Sequence, residues 1–412
     1  MNIQIQASQL AAELEDLAAF SATALPAVTR IVFSENDLAA RHWFKALCAD
    51  ADLDVREDAV GNTFARWHGS DPAAGAVGTG SHIDAIPHSG RFDGTVGVLG
   101  GLEAIRALKR AGFQPRRPIE VLMFTSEEPT RFGIGCLGSR LLSGTLSGSV
   151  DETLRDSEGQ SLREVRTRAG FDGALSGVAL KPGYYSAFAE LHIEQGPLLE
   201  RREVPLGVVR AIAAPASVRV TVEGQGGHAG AVLMPDRHDA FLAGAEIALA
   251  LEKAARGTGA IDSVATTGLC EVFPGAVNSI PSRVRLGMDI RDIDEARRDG
   301  MLLELEHTCA RISDRRGVTV SIETINRDAP AMCDPAVVGA LSAACEKHRF
   351  LFDSMVSRAY HDSLFMSRVC PAAMLFIPCR NGVSHRPDEY ATPEDIARGA
   401  LVLAEALATL AA

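Results

Sequence analysis

The sequence predicts an α/β protein in two parts. One part is a domain with a mixed, partly parallel sheet flanked by helices, and the other is a smaller β-α-β-β-α-β unit inserted into it. Three observations lead there: strand and helix alternate through the first half, the rhythm changes between about 213 and 325, and a strand-then-helix pattern returns near the C-terminus. The 412 residues suit two or three domains.

In order along the chain, Val96 to Ala111 carries Val98, Leu99, Leu102, Ile105 and Leu108 at helical spacing, with Gly112 placed to end the helix. Val121-Leu122-Met123-Phe124 is a short apolar run of buried-strand type. Ser217 to Val222 alternates as a half-buried strand, His238 to Ala255 is helical, and Ser263 to Val272 and Arg283 to Ile290 are strands. Glu295 to Ile312 is helical again and Val318 to Ile322 is a strand. That order matches a split βαβ, ferredoxin-like unit. Ala213-Ala214-Pro215 and Asp328-Ala329-Pro330 bracket it, so the first domain is 1–212 with 328–412 and the insert is 213–327. Ala373 to Ile377 reads as a core strand, and Thr392-Pro393-Glu394-Asp395 starts a helix with a capping Thr, an early Pro and acids near the positive end of the dipole.

The composition narrows the function. A formal charge of −12, without a basic stripe, argues against a phosphate-backbone binder. No apolar run reaches membrane-spanning length; Ile396 to Ala412 comes closest, but Arg398 and Glu405 interrupt it. The start of the chain lacks a secretory pattern, and the eight cysteines are scattered with no CxxC pair. These features lead us to expect a cytoplasmic protein with reduced thiols and no nucleic-acid or membrane partner.

Four separated stretches carry metal-type ligands. They are Gly80-Ser81-His82-Ile83-Asp84 with Gly90-Arg91-Phe92-Asp93-Gly94, then Ser126-Glu127-Glu128, then Glu190-Leu191-His192, and last Ser384-His385-Arg386. In parallel sheets, ligand sites gather beyond the carboxyl ends of strands, where His82, Asp84, Glu127 and Glu128 are expected. His82 reads as a ligand and Asp84 as the carboxylate that fixes its tautomer. Asp93, between glycines, can bridge two metals. Glu127 and Glu128 follow a strand and point to opposite sides, so one can bind metal while the other takes a proton from water. Together the stretches suggest a two-metal hydrolytic site.

With these motifs, and with Arg131-Phe132 and His192-Ile193-Glu194-Gln195-Gly196-Pro197, the sequence resembles the amidase/hydantoinase/carbamoylase branch of the M20-like, aminoacylase- and dipeptidase-type dinuclear metallopeptidases. Members include N-carbamoyl-L-amino acid hydrolases, β-ureidopropionases and allantoate amidohydrolases. The resemblance spans nearly the whole chain. It implies two divalent ions per subunit, with Asp93 bridging, His82 and His192 completing one site, and Glu128 and His385 the other. Glu127 would be the general base. The donor set suits Zn, Mn, Co or Ni. The insert would be a lid and dimerisation domain, in a homodimer. His228, in Gly226-Gly227-His228-Ala229-Gly230, would polarise the scissile carbonyl, and Asn278 and Arg291 would clamp a substrate carboxylate. Gln195 and His361 would also face the substrate.

The implied activity is metal-dependent hydrolysis of a linear non-peptide C–N bond, the carbamoyl or ureido group of a small carboxylate such as an N-carbamoyl-L-amino acid. Alternatives are an allantoate- or ureidoglycolate-type amidohydrolase, or a dipeptidase or aminoacylase of the same family. A catalytically silent binding protein is a further alternative, against which the intact ligand set counts. One loop departs from the family pattern Ser-Gly-Ala-Gly-His-Asp. Here it is Ser357-Arg358-Ala359-Tyr360-His361-Asp362, with Arg358 and Tyr360 in place of glycines, where they would narrow or re-polarise the pocket.

Overall fold

A computed structural model describes all 412 residues. The chain divides into two compact units: Met1–Arg210, Cys333–Met355 and His361–Ala412 form the first, and Ala211–Met332 with Val356–Tyr360 the second.

The first unit is built on a mixed sheet. Its strands run in the spatial order Leu206–Ile212, Ala372–Ile377, Tyr185–Ile193, Ala76–His82, Ile119–Phe124, Thr63–Trp67 and Asp54–Glu57. The central four are mutually parallel, and antiparallel neighbours flank them. Every residue of Ala76–His82, Ile119–Phe124 and Ala372–Ile377 is buried, as parallel strands covered on both faces require. Helix Thr95–Arg110 packs on the sheet with Val98, Leu99, Leu102, Ile105 and Leu108 fully buried. Helix Pro393–Ala411 is capped by the Thr392 hydroxyl, which accepts the Asp395 N–H at 3.1 Å.

The parallel registers decide where the chemistry lies. His82 pairs with Phe124, and Phe376 with His192. The chain therefore leaves Ala76–His82, Ile119–Phe124, Tyr185–Ile193 and Ala372–Ile377 at one edge of the sheet, and all the expected ligands are at or after those strand ends.

The second unit is a four-stranded antiparallel sheet in the order Val264–Phe273, Arg283–Asp292, Ala214–Glu223, Thr319–Arg327, with helices Ala240–Gly257 and Glu295–Arg316. Val218, Val220, Val222, Val284, Leu286, Met288 and Ile290 meet Ile247, Leu251, Met301, Leu305 and Ile312 in its core. The first helix begins at Ala240 rather than His238, because Asp239 caps it by accepting the N–H groups of Phe241 and Leu242. The sequence boundary places Val356–Tyr360 in the first domain, whereas the structure places it in the second unit. There the Ser357 carbonyl accepts the Ala213 N–H at 2.8 Å, Arg358 ion-pairs with Asp262, and the Tyr360 hydroxyl donates to Asp328 at 2.6 Å.

Candidate metal centre

The first unit brings His82, Asp93, Glu127, Glu128, His192 and His385 together. All but His385 are buried. The His385 side chain is 47% exposed, which leaves that flank of the cluster open. Asp93 is at the centre. Its Oδ1 is 3.2 Å from His192 Nε2 and 3.8 Å from His82 Nε2, and its Oδ2 is 3.0 Å from His385 Nε2. Glu128 Oε1 is 3.5 Å from His385 Nε2. Two ligand groups thus share one carboxylate: His82–Asp93–His192 and Asp93–Glu128–His385.

The hydrogen bonds favour a cation in the first of these groups. His82 Nδ1 donates to the Asp84 backbone carbonyl at 3.0 Å, and His192 Nδ1 donates to the Ile193 carbonyl at 2.9 Å. With the proton on Nδ1, each Nε2 keeps its lone pair on the side of Asp93, itself an acceptor, and that of His192 also accepts the Gly94 N–H at 3.2 Å. Two acceptors facing each other need positive charge between them. Without an ion, protons supply it. Burial pulls His192 down, but the bond to Asp93 outweighs it and raises the group to about 9; His385 is raised to about 9, first by its bond to Asp93. His82 goes the other way, lowered chiefly by burial, as a neutral ligand would. Burial alone would raise Asp93, yet its histidine partners hold it well below the usual carboxylate range. The acids crowd: burial and then Asp93 push Glu128 up to about 8, while burial and then Glu128 push Glu127 well above its ordinary value.

The backbone leaves room beside His82 Nε2. Gly94 has φ +68°, and a Cβ there would lie 2.4 Å from His82 Nε2. Donor set, the His82 and His192 tautomers, crowded charge and clear space fit divalent-cation binding.

Asp84 works differently from the sequence reading. Its carboxylate stands 3.8 Å from His82 Nδ1, beyond a hydrogen bond, and its backbone carbonyl fixes the tautomer instead. Its Oδ1 accepts the Glu127 N–H at 3.2 Å and its Oδ2 the Glu128 N–H at 3.0 Å, so it sets the acidic pair. Gln195 and His361 also sit at the cluster. Gln195 donates from Nε2 to Asp93 Oδ2 at 2.8 Å, and the His361 ring packs edge-on against His192 with centroids 4.5 Å apart.

Sequence reasoning missed four supports. Glu389 accepts the N–H groups of Phe92 (2.8 Å) and Asp93 (3.1 Å) and the Ser384 hydroxyl (2.8 Å), tying the Asp93 loop to the His385 loop. Cys136 donates its thiol to Glu127 Oε1 at 3.3 Å, and burial followed by the Glu127 charge keeps that thiol protonated. Glu190 accepts from Ser81 and Ser363, and Asp362 accepts from Ser139. Their only local signal is a polar residue in an apolar strand or next to a motif.

In the second unit, His228 and Asn278 are neighbours. Gly227–His228 pairs with Ser279–Ile280, and the Asn278 carbonyl accepts the Ala229 N–H at 3.0 Å. Both side chains belong to exposed residues. Arg291 is the penultimate residue of strand Arg283–Asp292 in the four-stranded sheet, with Nε donating to Asp289 at 2.6 Å.

The profile of peptidase family M20/M25/M40 matches residues 78–409. The chain belongs to this family. An M20-family relative, ureidoglycolate hydrolase of Oryza sativa subsp. japonica, is 52% identical over 98% of this chain and 85% of its own. The N-carbamoyl-L-amino acid amidohydrolase of Geobacillus stearothermophilus is 38% identical over 97% of each. Crystal structures of AtUAH in complex with (S)-hydroxyglycine and with glyoxylate superimpose with TM-scores of 0.91 and 0.92, at 50% identity over 99% of this chain and 98% of that one. The chain is therefore a hydrolase of linear, non-peptide carbon–nitrogen bonds, on the M20 fold with its inserted domain.

Proposed function

We propose that this M20-family chain hydrolyses ureidoglycolate, or a closely similar short ureido acid, using two divalent ions per subunit. The observation that carries hydrolysis is the shared Asp93 carboxylate between two ligand groups, with the Glu127 carboxylate alongside. The substrate follows the relatives named ureidoglycolate hydrolase, which exceed the N-carbamoyl amino acid amidohydrolase in identity over the same span.

His82, His192 and Asp93 would hold one ion, and Glu128, His385 and Asp93 the other. When bound, such ions supply Lewis acidity to a carbonyl oxygen and to water. Glu127 then has one task at one atom. Cys136 occupies its Oε1, leaving Oε2, 3.8 Å from His82 Nε2, to take the proton of the attacking water and return it to the leaving nitrogen. His228 would polarise the carbonyl, Arg291 and Asn278 would grip the carboxylate, and Gln195 and His361 would line the substrate side. Cleavage at the ureido carbonyl releases ammonia and carbon dioxide and leaves hydroxyglycine, the molecule seen in AtUAH.

A homodimer through the second unit accords with its edge strand Val264–Phe273, which leaves Leu269 and Phe273 exposed. Light scattering tests it. No helix is long and apolar enough to cross a membrane. The free cysteine thiols accord with a cytoplasmic location.

The deciding experiment compares ureidoglycolate, allantoate and N-carbamoyl-L-amino acids on protein reconstituted with Mn, Zn, Co or Ni. We expect kcat/KM for ureidoglycolate to lead by about a hundredfold or more, and chelation to abolish turnover until metal is restored. Faster turnover of N-carbamoyl amino acids overturns the substrate assignment. Full activity after complete chelation overturns the metal reading.

A further inference from the structure

Three hydrogen bonds fix the Arg291 guanidinium within the second unit. Nε donates to Asp289 Oδ1 at 2.6 Å and Nη2 to Asp289 Oδ2 at 3.3 Å. These two residues are two apart on one strand and share a face. A side-on carboxylate alone leaves the guanidinium plane free to hinge about the line of contact. The third bond removes that freedom: Nη1 donates to the backbone carbonyl of Arg358 at 3.1 Å.

That carbonyl belongs to the Val356–Tyr360 strap, which is pinned along its length. Ser357 accepts the Ala213 N–H through its carbonyl and donates its hydroxyl to the Ala359 carbonyl at 3.0 Å. The Tyr360 hydroxyl donates to Asp328 Oδ2 at 2.6 Å. Arg358 itself ion-pairs with Asp262; their side chains are 33% and 12% exposed, so the contact is partly shielded from water. The charged end of the residue that stands in place of a family glycine is therefore engaged within its own unit.

We propose that Arg358, through its ion pair with Asp262, is a positioning residue for the carboxylate clamp. It holds the carbonyl that orients Arg291, and so determines where a short substrate carboxylate is gripped. The inference rests on Arg291 being that clamp. A guanidinium has five N–H groups. Three are engaged here, and the remaining two suffice for a bidentate carboxylate. A glycine at 358 would keep the carbonyl but lose its anchor, and Arg291 would hold its angle less closely.

The test is steady-state kinetics on ureidoglycolate with metal-loaded Arg358→Ala, Asp262→Asn, Arg358→Lys, Arg291→Ala, and the double exchange Arg358→Asp with Asp262→Arg beside each of those two exchanges alone. We expect Arg358→Ala and Asp262→Asn each to raise KM about tenfold, with kcat within about threefold and metal content unchanged. Arg358→Lys keeps a cation opposite Asp262 and recovers most of the loss, and the double exchange binds better than either of its single components. Unchanged KM in Arg358→Ala and Asp262→Asn, beside a raised KM in Arg291→Ala, overturns the positioning role and leaves the clamp standing. Unchanged KM in Arg291→Ala removes the clamp and the inference with it. If Arg358→Ala does not fold, Asp262→Asn decides: it changes only charge, and an unaltered KM there is equally fatal.

Discussion

Replacing Asp84 with Asn separates the two roles open to that residue. In wild type each carboxylate oxygen accepts one buried N–H, from Glu127 and from Glu128. An asparagine has one acceptor oxygen, so one N–H keeps its partner and the other faces an NH2 group. Losing a charge-assisted bond to a buried donor costs about 1.5–3 kcal/mol, and opposing two donors adds to it, so roughly 2–4 kcal/mol is expected. Were all of it expressed as misalignment of Glu127 in the transition state, kcat would fall about 30- to 1000-fold, at 1.36 kcal/mol per tenfold. The His82 tautomer should be untouched, because its Nδ1 donates to the backbone carbonyl of residue 84, which any side chain leaves in place. The assay pairs kcat with metal content by mass spectrometry. A loss of kcat with the His82-group ion retained is expected. If Asp84→Asn turns over within about threefold of wild type, the carboxylate does not hold the acidic pair and the reasoning fails.

Gly94→Ala should fold but lose metal and about a hundredfold or more of activity, because the new methyl lies 2.4 Å from His82 Nε2; full metal content would show that the loop yields. Glu127→Gln should bind metal normally and lose about a hundred- to ten-thousandfold in kcat, and normal turnover would assign the proton transfer elsewhere. Asp151→Asn should destabilise the first unit by about 3 kcal/mol or more, since it breaks a buried bidentate pair with Arg166 at 2.7 Å through both oxygens; denaturant melts measure it. Burial alone would raise Asp151, but its Arg166 and Arg163 partners lower its pKa below the ordinary 3.8. Its contribution is therefore present above the unfolded value and is lost as pH falls through the lower folded one. The gap between wild type and Asp151→Asn should narrow below about pH 4, and a constant gap from pH 6 to 3 would refute the pairing.

The sequence by itself determined the layers and pointed, through its motifs, to a candidate donor set. Apolar runs such as Val121–Phe124 and the helical stripe from Val98 to Leu108 report burial through local periodicity, and the β-α-β-β-α-β order gave the insert without a long-range contact. His82, Asp93, Glu128, His192 and His385 stood out as candidates because metal chemistry restricts residue type and because their motifs resemble a known family's, and the fold brings the five side chains together. Only the tertiary structure decided what surrounds them. Glu389 reaches the Phe92 N–H across 297 positions, Asp84 turned from its neighbour His82 to the backbone of Glu127 and Glu128, and Arg358 and Tyr360 belong to the second unit although the chain around them belongs to the first. Hydrogen bonds between distant segments leave no periodic trace in sequence, because the geometry that makes them exists only after the sheet has set its register.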